Sequence, residues 1–133
     1  VAEQRVERQV GATVTITKEF SEADLALFML VMGDAALTAD EPLSPERQQR
    51  QAAPGALLVA LLASAAARHA QRPQYARFAS ASTRVIEPAY TDDTLTAVAE
   101  LTALEGETMR VTARCENQDG RRLAEGEFLV SNS

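Results

Sequence analysis

The sequence predicts an α+β fold, an antiparallel sheet wrapped around a long, buried central helix. Three observations carry this expectation. Residues Ala56–Ala70 are rich in Ala and Leu and apolar on nearly every side, and a helix without a polar face must be surrounded by protein. Further on, Thr94–Leu104, Met109–Cys115 and Ala124–Val130 alternate apolar and polar residues with the two-residue period of half-buried strands. Between the last two lies Asn117-Gln118-Asp119-Gly120, whose Asp-Gly pair tolerates the positive φ of a tight hairpin turn. Antiparallel strands with one apolar face need a cover, and the apolar helix is long enough to supply it.

The elements follow in order. Gly11–Lys18 sets Val14 and Ile16 against Thr13, Thr15 and Thr17, the pattern of a first strand. Ser21 then caps a helix, with Asp24 at the third helical position as in a capping box and Phe20 and Leu25 spaced for a hydrophobic staple. Leu25, Phe28, Met29 and Met32 recur at helical spacing, and Gly33 is a natural stop. Asp34–Ala53 is polar and irregular, interrupted by Pro42 and Pro45; Ser44-Pro45 opens a short helix over Glu46–Gln51. Pro54-Gly55 lead into the apolar helix, and Tyr75–Glu87 is extended with imperfect alternation. Leu95, Ala97, Ala99, Leu101 and Ala103 share one face, as do Met109, Val111, Ala113 and Cys115, and then Ala124, Gly126, Phe128 and Val130. The many alanines let the helix come close.

At 133 residues the chain fits one domain, residues 1–133. The net charge of −6 argues against a nucleic-acid partner, because phosphate backbones demand dense Lys and Arg; a local basic patch remains compatible with a phosphorylated cofactor. Cys115 stands alone, so no intrachain disulfide or cysteine metal cluster is expected, and a reducing, cytoplasmic setting is the default. Val1–Arg8 is polar and charged, without the pattern of a signal peptide. The longest uncharged stretch, Ala52–Ala67, falls short of the roughly 18–20 residues needed to span a bilayer, so no membrane partner is expected.

Several segments together resemble the MaoC-like (R)-specific enoyl-CoA hydratases and 3-hydroxyacyl dehydratases. Gly11 before a strand, Phe20-Ser21-Glu22-Ala23-Asp24 with Phe28, Gly33-Asp34, and Pro54-Gly55 before an apolar helix are similar to the family's opening. Arg84-Val85-Ile86-Glu87-Pro88-Ala89-Tyr90-Thr91-Asp92-Asp93-Thr94-Leu95 resembles its P-V-x-x-G-D-T-L segment, with Asp92 where glycine is usual. Glu116-Asn117-Gln118-Asp119-Gly120 and Ala124-Glu125-Gly126 resemble its N-Q-x-G … A-x-G ending. The likeness runs from about Gly11 to Val130 and implies a hot-dog fold that binds an acyl thioester, either acyl-CoA or acyl-carrier protein. Coenzyme A or phosphopantetheine would enter as part of the substrate, with no separate cofactor and no metal.

The family's active-site stretch, G-D-x-N-P-x-H-x-D-P, departs here. Laid without a gap it falls on residues 33–42: Asp34 keeps the aspartate, Ala36 replaces the asparagine and Ala39 replaces the catalytic histidine. In the family the aspartate and histidine activate a water that adds to a trans-2-enoyl thioester, while main-chain amides at the central helix start polarise its carbonyl. The resemblance places those amides at Gly55 and Ala56, which need no side chain to act. Asp34 alone is a weak base for water, since an ordinary carboxylate titrates near ~4; it also fits a bond to backbone amides after the first helix.

Other residues are poor substitutes. His69, the only histidine, lies ~20 Å along the helix from Gly55 and reads as a helix-end histidine favoured by the dipole. Asp40 and Glu41 are either a carboxylate pair or solvated loop charges, and Cys115 is a small core residue. Ala56–Ala70 contains no Asp or Glu, which closes the route of hot-dog thioesterases that carry an acid on this helix. Arg77, Arg84, Arg110 and Arg114 are sheet-face charges in solvent or contacts to coenzyme A phosphates. Two readings stay open: a hydratase or dehydratase using Asp34 with another partner group, and a non-catalytic acyl-binding or assembly subunit that retains the fold. An unpaired sheet edge and the family pattern point to a homodimer or to pairing with another hot-dog subunit.

Overall fold

The computed structural model describes residues 9–32 and 52–131. Strand β1 (Thr13–Glu19) leads into helix α1 (Glu22–Met32). Helix α2 (Gly55–Ala67) is followed by a 3₁₀ turn (Pro73–Tyr75) and by strands β2 (Phe78–Val85), β3 (Thr94–Glu105), β4 (Thr108–Glu116) and β5 (Arg122–Ser131). The five strands form one sheet in the order β1-β3-β4-β5-β2, every neighbour antiparallel. Helix α2 lies across its apolar face, chiefly over β3, β4 and β5.

The alternation in the sequence sets that face. Leu95, Ala97, Ala99 and Leu101 of β3, Met109, Val111, Ala113 and Cys115 of β4, and Ala124, Phe128 and Val130 of β5 are all buried. Leu58, Leu62, Ala65 and Ala66 of α2 close the same cluster. Ala103 drops out of the β3 series because the register with β4 shifts between Leu101 and Ala103. Fully burying a side chain such as Leu58 or Leu62 is worth ~1.5–3 kcal/mol, so these few contacts dominate the helix–sheet junction.

Two expectations need correction. The central helix ends at Ala67 rather than Ala70; its sheet-facing side is buried as expected, and Ala56, Ala60 and Ser64, one turn apart on the other side, are exposed. A sheet covers only the side of a helix that faces it, and these positions point the other way. The extended segment begins at Phe78 instead of Tyr75, because Pro73 starts a 3₁₀ turn.

Strand β2 is the outer edge beyond β5, and all eight of its residues are exposed. Sheet-face arginines find carboxylates across the strands: Arg84 with Glu125 at 2.7 Å, Arg110 with Glu105 and Glu127, and Arg114 with Glu116 at 3.7 Å. Exposed pairs of this kind contribute little to stability, because water and salt screen them. Among the described residues no helix is long and apolar enough to cross a membrane.

The capping box expected at α1 is present. The Ser21 amide donates to Asp24 Oδ2 at 3.0 Å, and the Asp24 amide donates to Ser21 Oγ at 3.1 Å. Phe20 and Leu25, the staple pair, are both buried. The outward side of α1 is also apolar, with Leu27, Leu30 and Val31 well exposed.

The bond from the Ser21 amide holds the Asp24 carboxyl below its ordinary value of 3.8, with smaller help from the Ser21 hydroxyl and Lys18 and partial opposition from desolvation. A depressed folded pKa contributes stability that is fully present above the unfolded value and is lost as pH falls through the folded one. Asp24→Ala should therefore cost about 1 kcal/mol at neutral pH. In urea unfolding, the gap to wild type should narrow as the pH falls below the ordinary carboxyl value of 3.8; an unchanged gap would contradict the cap.

Candidate active site

The start of α2 is built from residues with no side chain to spare. Pro54 sits at the N-cap in an extended conformation (φ −56°, ψ 142°) and offers no side-chain bond to the first turn. Leu57 N–H donates to Pro54 O at 2.9 Å, whereas the Gly55 and Ala56 amides, as first-turn groups, have no acceptor within their own helix. No acidic residue lies in that turn, so no carboxylate of the turn offsets the positive end of the helix dipole. Gly55 and Ala56 are exposed. A Cβ at Gly55 would meet Val85 Cγ2 at 3.4 Å, which places the helix start beside the end of β2.

A web of bonds fixes this end of the molecule. Ala53 N–H donates to Ala89 O at 2.8 Å, and Ala52 bridges Tyr90, so the approach to α2 is tied to the loop before β3. That loop is organised by Asp93, which is only 2% exposed. Its Oδ2 accepts the Tyr90 amide at 2.8 Å and its Oδ1 accepts Gln118 Nε2 at 2.9 Å. Gln118 Oε1 in turn accepts the Thr94 amide at 3.0 Å, and the Phe20 amide donates to Asp93 O at 2.8 Å. Asp93, through its carboxylate and its main-chain carbonyl, thus joins the β1 end, the β3 start and the β4–β5 turn. The two stretches that carried the family resemblance, around Asp93 and around Gln118, meet in space.

Sequence reasoning assigned no role to Asp93 or Gln118. The signal was their place in those two stretches, and pattern alone does not reveal that they bond to each other. Asp92, noted where glycine is usual, has φ +74°. That is the left-handed region, which glycine adopts without strain and aspartate tolerates. Gly120 supplies the positive φ of the hairpin turn, as its sequence implied.

Gly55 and Ala56 are the expected site residues that the structure places. Asp34, Ala36, Ala39, Asp40 and Glu41, and the expected short helix over Glu46–Gln51, lie outside the described residues. His69 lies just past the helix end, as expected, and is fully buried there, its Nε2 donating to Ala99 O of β3 at 2.9 Å. Cys115 faces the core, and burial pushes its thiol up to about 11, assisted by Glu116, so it is not a ready nucleophile. Among the described residues no group of His, Cys, Asp or Glu could hold a metal ion.

Chemically, two adjacent main-chain donors at the positive end of a helix suit an oxygen that gains negative charge. A thioester carbonyl becoming an enolate is such an oxygen.

No family model matches the chain, and no curated protein matches it. Solved structures do. The unliganded R-hydratase PhaJ1 from Pseudomonas aeruginosa aligns with a TM-score of 0.77 and 26% identity, over 94% of this chain and 82% of that one. The (R)-hydratase from A. caviae involved in PHA biosynthesis gives 0.74 and 25%, over 97% and 100%. The F36A mutant of the fluoroacetyl-CoA-specific thioesterase FlK gives 0.71 at 14% identity, over 96% and 89%, a likeness of fold alone. The chain has the hot-dog fold, and its structural neighbours include (R)-hydratases of the kind the sequence resembles.

Asp92→Gly should raise stability by ~0.5–1 kcal/mol by relieving the left-handed backbone. Asp93→Ala should lower it by about 2–4 kcal/mol, because the Tyr90 amide and the Gln118 side chain lose their acceptor. Urea midpoints check both; a neutral Asp93→Ala would mean that the clamp does not organise this end.

Proposed function

We propose that the chain binds an acyl thioester, acyl-CoA or acyl-carrier protein, with the thioester carbonyl on the Gly55 and Ala56 amides. In this reading it acts as an enoyl-thioester hydratase or 3-hydroxyacyl dehydratase whose side-chain machinery is reduced to Asp34. The observation that carries it is the α2 start: two first-turn amides, exposed, with no acidic residue in the turn, on a fold shared with (R)-hydratases.

The chemistry divides in two. In hydration a water oxygen bonds to C3 of the 2-enoyl group, its proton passes to a base, and C2 takes up a proton as the enolate collapses. The amides serve the enolate oxygen and survive the departure from the family motif. Asp34 serves the water. With Ala39 in the histidine position, one acid–base partner is missing, and such a partner is typically worth about 10²–10⁴-fold. Hydration is therefore slow in the wild-type chain.

A specific observation favours a second reading, a non-catalytic acyl-binding or assembly subunit. The only histidine, His69, is buried with its Nε2 on Ala99 O, far from the helix start, and does not replace the lost residue. In either reading a second hot-dog subunit, identical or related, pairs with the β2 edge, whose eight residues are exposed and flanked by Ile86.

Crotonyl-CoA and longer enoyl-CoAs test the first reading directly. Wild type should hydrate them slowly and Asp34→Ala should abolish the rate; equal background rates in both would remove the hydratase reading and leave the binding one. Ala36→Asn with Ala39→His should gain about 10²-fold or more. Gly55→Pro deletes one amide at a helix position that accepts proline. It should weaken crotonyl-CoA binding while Gly55→Ala, which meets only an ordinary contact at Val85, keeps it. Equal affinity in these two variants would contradict the amide site.

A further inference from the structure

Charge is distributed unevenly along the chain. Residues 47–86 contain six arginines and no aspartate or glutamate, although the whole chain carries −6. Among the described residues of this run Arg84 lies exposed in β2, and the other three fall in one short stretch, Arg68 just past α2, Arg72 ahead of the 3₁₀ turn and Arg77 before β2, all exposed. Elsewhere on the sheet and its turns, Arg84, Arg110, Arg114, Arg121 and Arg122 each have a carboxylate within ion-pair distance. Arg72 and Arg77 have none among the described residues. A guanidinium without a carboxylate presents a planar fork of donors that matches phosphate oxygens.

Between these two arginines Tyr75 is 68% exposed. Its backbone is fixed: Tyr75 N–H donates to Arg72 O at 2.9 Å, Ala76 N–H to Pro73 O at 3.2 Å, and Ser131 N–H to Arg77 O at 2.8 Å. The stretch is thus a tethered turn that presents an aromatic ring with a cation on either side in sequence. Such a ring is a stacking platform for a purine base. Folding gives Tyr75 little to pack against, so burial does not explain an aromatic residue here.

The stretch also lies at a suitable distance from the α2 start. The helix and the residue that follows span ~20 Å from Gly55 to Arg68, comparable with an extended pantetheine arm. Ala56, Ala60, Ser64 and Arg68, at four-residue steps between the two ends, are all exposed, so the sheet does not cover the way between them.

We propose that Arg72, Tyr75 and Arg77 bind the phosphorylated adenosine end of a coenzyme A thioester, with phosphates on the guanidinium groups and adenine on the tyrosine ring. The inference rests on the acyl-thioester reading above and narrows it to coenzyme A, because a carrier protein offers a phosphodiester but no adenine.

Calorimetry on the full chain tests it with three ligands: crotonyl-CoA, crotonyl-pantetheine, which lacks phosphate and adenine, and a crotonyl carrier protein. Arg72→Ala, Arg77→Ala and Tyr75→Ala should each weaken crotonyl-CoA about five- to tenfold and leave crotonyl-pantetheine unchanged. Arg122→Ala, on the distant β5 start, should affect neither. Added salt should weaken crotonyl-CoA more than crotonyl-pantetheine. Equal crotonyl-CoA affinity in wild type and an Arg72→Ala/Arg77→Ala double variant would overturn the assignment while leaving the acyl site intact. Loss of carrier-protein binding in the arginine variants, with Tyr75→Ala silent, would also overturn it in favour of a carrier-protein surface. Failure of wild type to bind crotonyl-pantetheine or crotonyl-CoA would remove the underlying acyl-thioester reading. Unchanged melting temperatures in these exposed-site variants exclude a folding cause.

Discussion

The close approach of α2 to the sheet governs the rest of the structure. Ala97, Ala99, Ala113 and Ala124 on the sheet and Ala65 and Ala66 on the helix are buried in one cluster. Small residues on both sides bring the helix backbone near the strands, and Leu58 and Leu62 fill the space that remains. A tightly seated helix has little freedom to slide or tilt, since dense cores resist small displacements. Its first turn is therefore held in one place, which a site made from main-chain amides requires.

That end of the molecule is secured twice. Packing sets the depth of the helix, and the Asp93 web sets the loop against which the helix begins. The carboxylate is buried, yet it meets the Tyr90 amide and the Gln118 side chain, so its lone pairs are not wasted on an apolar surround. Gln118 belongs to the turn between β4 and β5, far in sequence from Tyr90 but next to it in space. Stability and site geometry share these bonds. The proposed site divides along the same line: main-chain amides come with the helix, whereas an acid–base pair depends on individual residues such as Asp34 and the Ala39 position.

Much of the fold was legible from periodicity. The strands after the helix, the Asn117–Gly120 turn and the α1 capping box follow from local rules, because pleat, turn and cap each constrain residues only a few positions apart. The exposed ridge of α2 was not legible. Composition says that a helix is apolar all round, but only the number and position of its neighbours says which side is covered. His69 is a similar case: its distance from Gly55 follows from helical rise, whereas its burial against Ala99 depends on where β3 lies. Of the candidate site, the helix start at Gly55 and Ala56 was readable from Pro54-Gly55 before an apolar run. Asp93 and Gln118 were visible as letters in two stretches, but their bond is a long-range contact that no local spacing encodes.

The proposed function requires a thioester carbonyl held by the first-turn amides of α2. Infrared difference spectroscopy of crotonyl-CoA labelled with ¹³C at the carbonyl, bound to the wild-type chain, measures that contact without requiring turnover. The carbonyl band should move to lower frequency than in water, and the shift should shrink in Gly55→Pro. A bound ligand whose carbonyl band matches that in water would contradict the account.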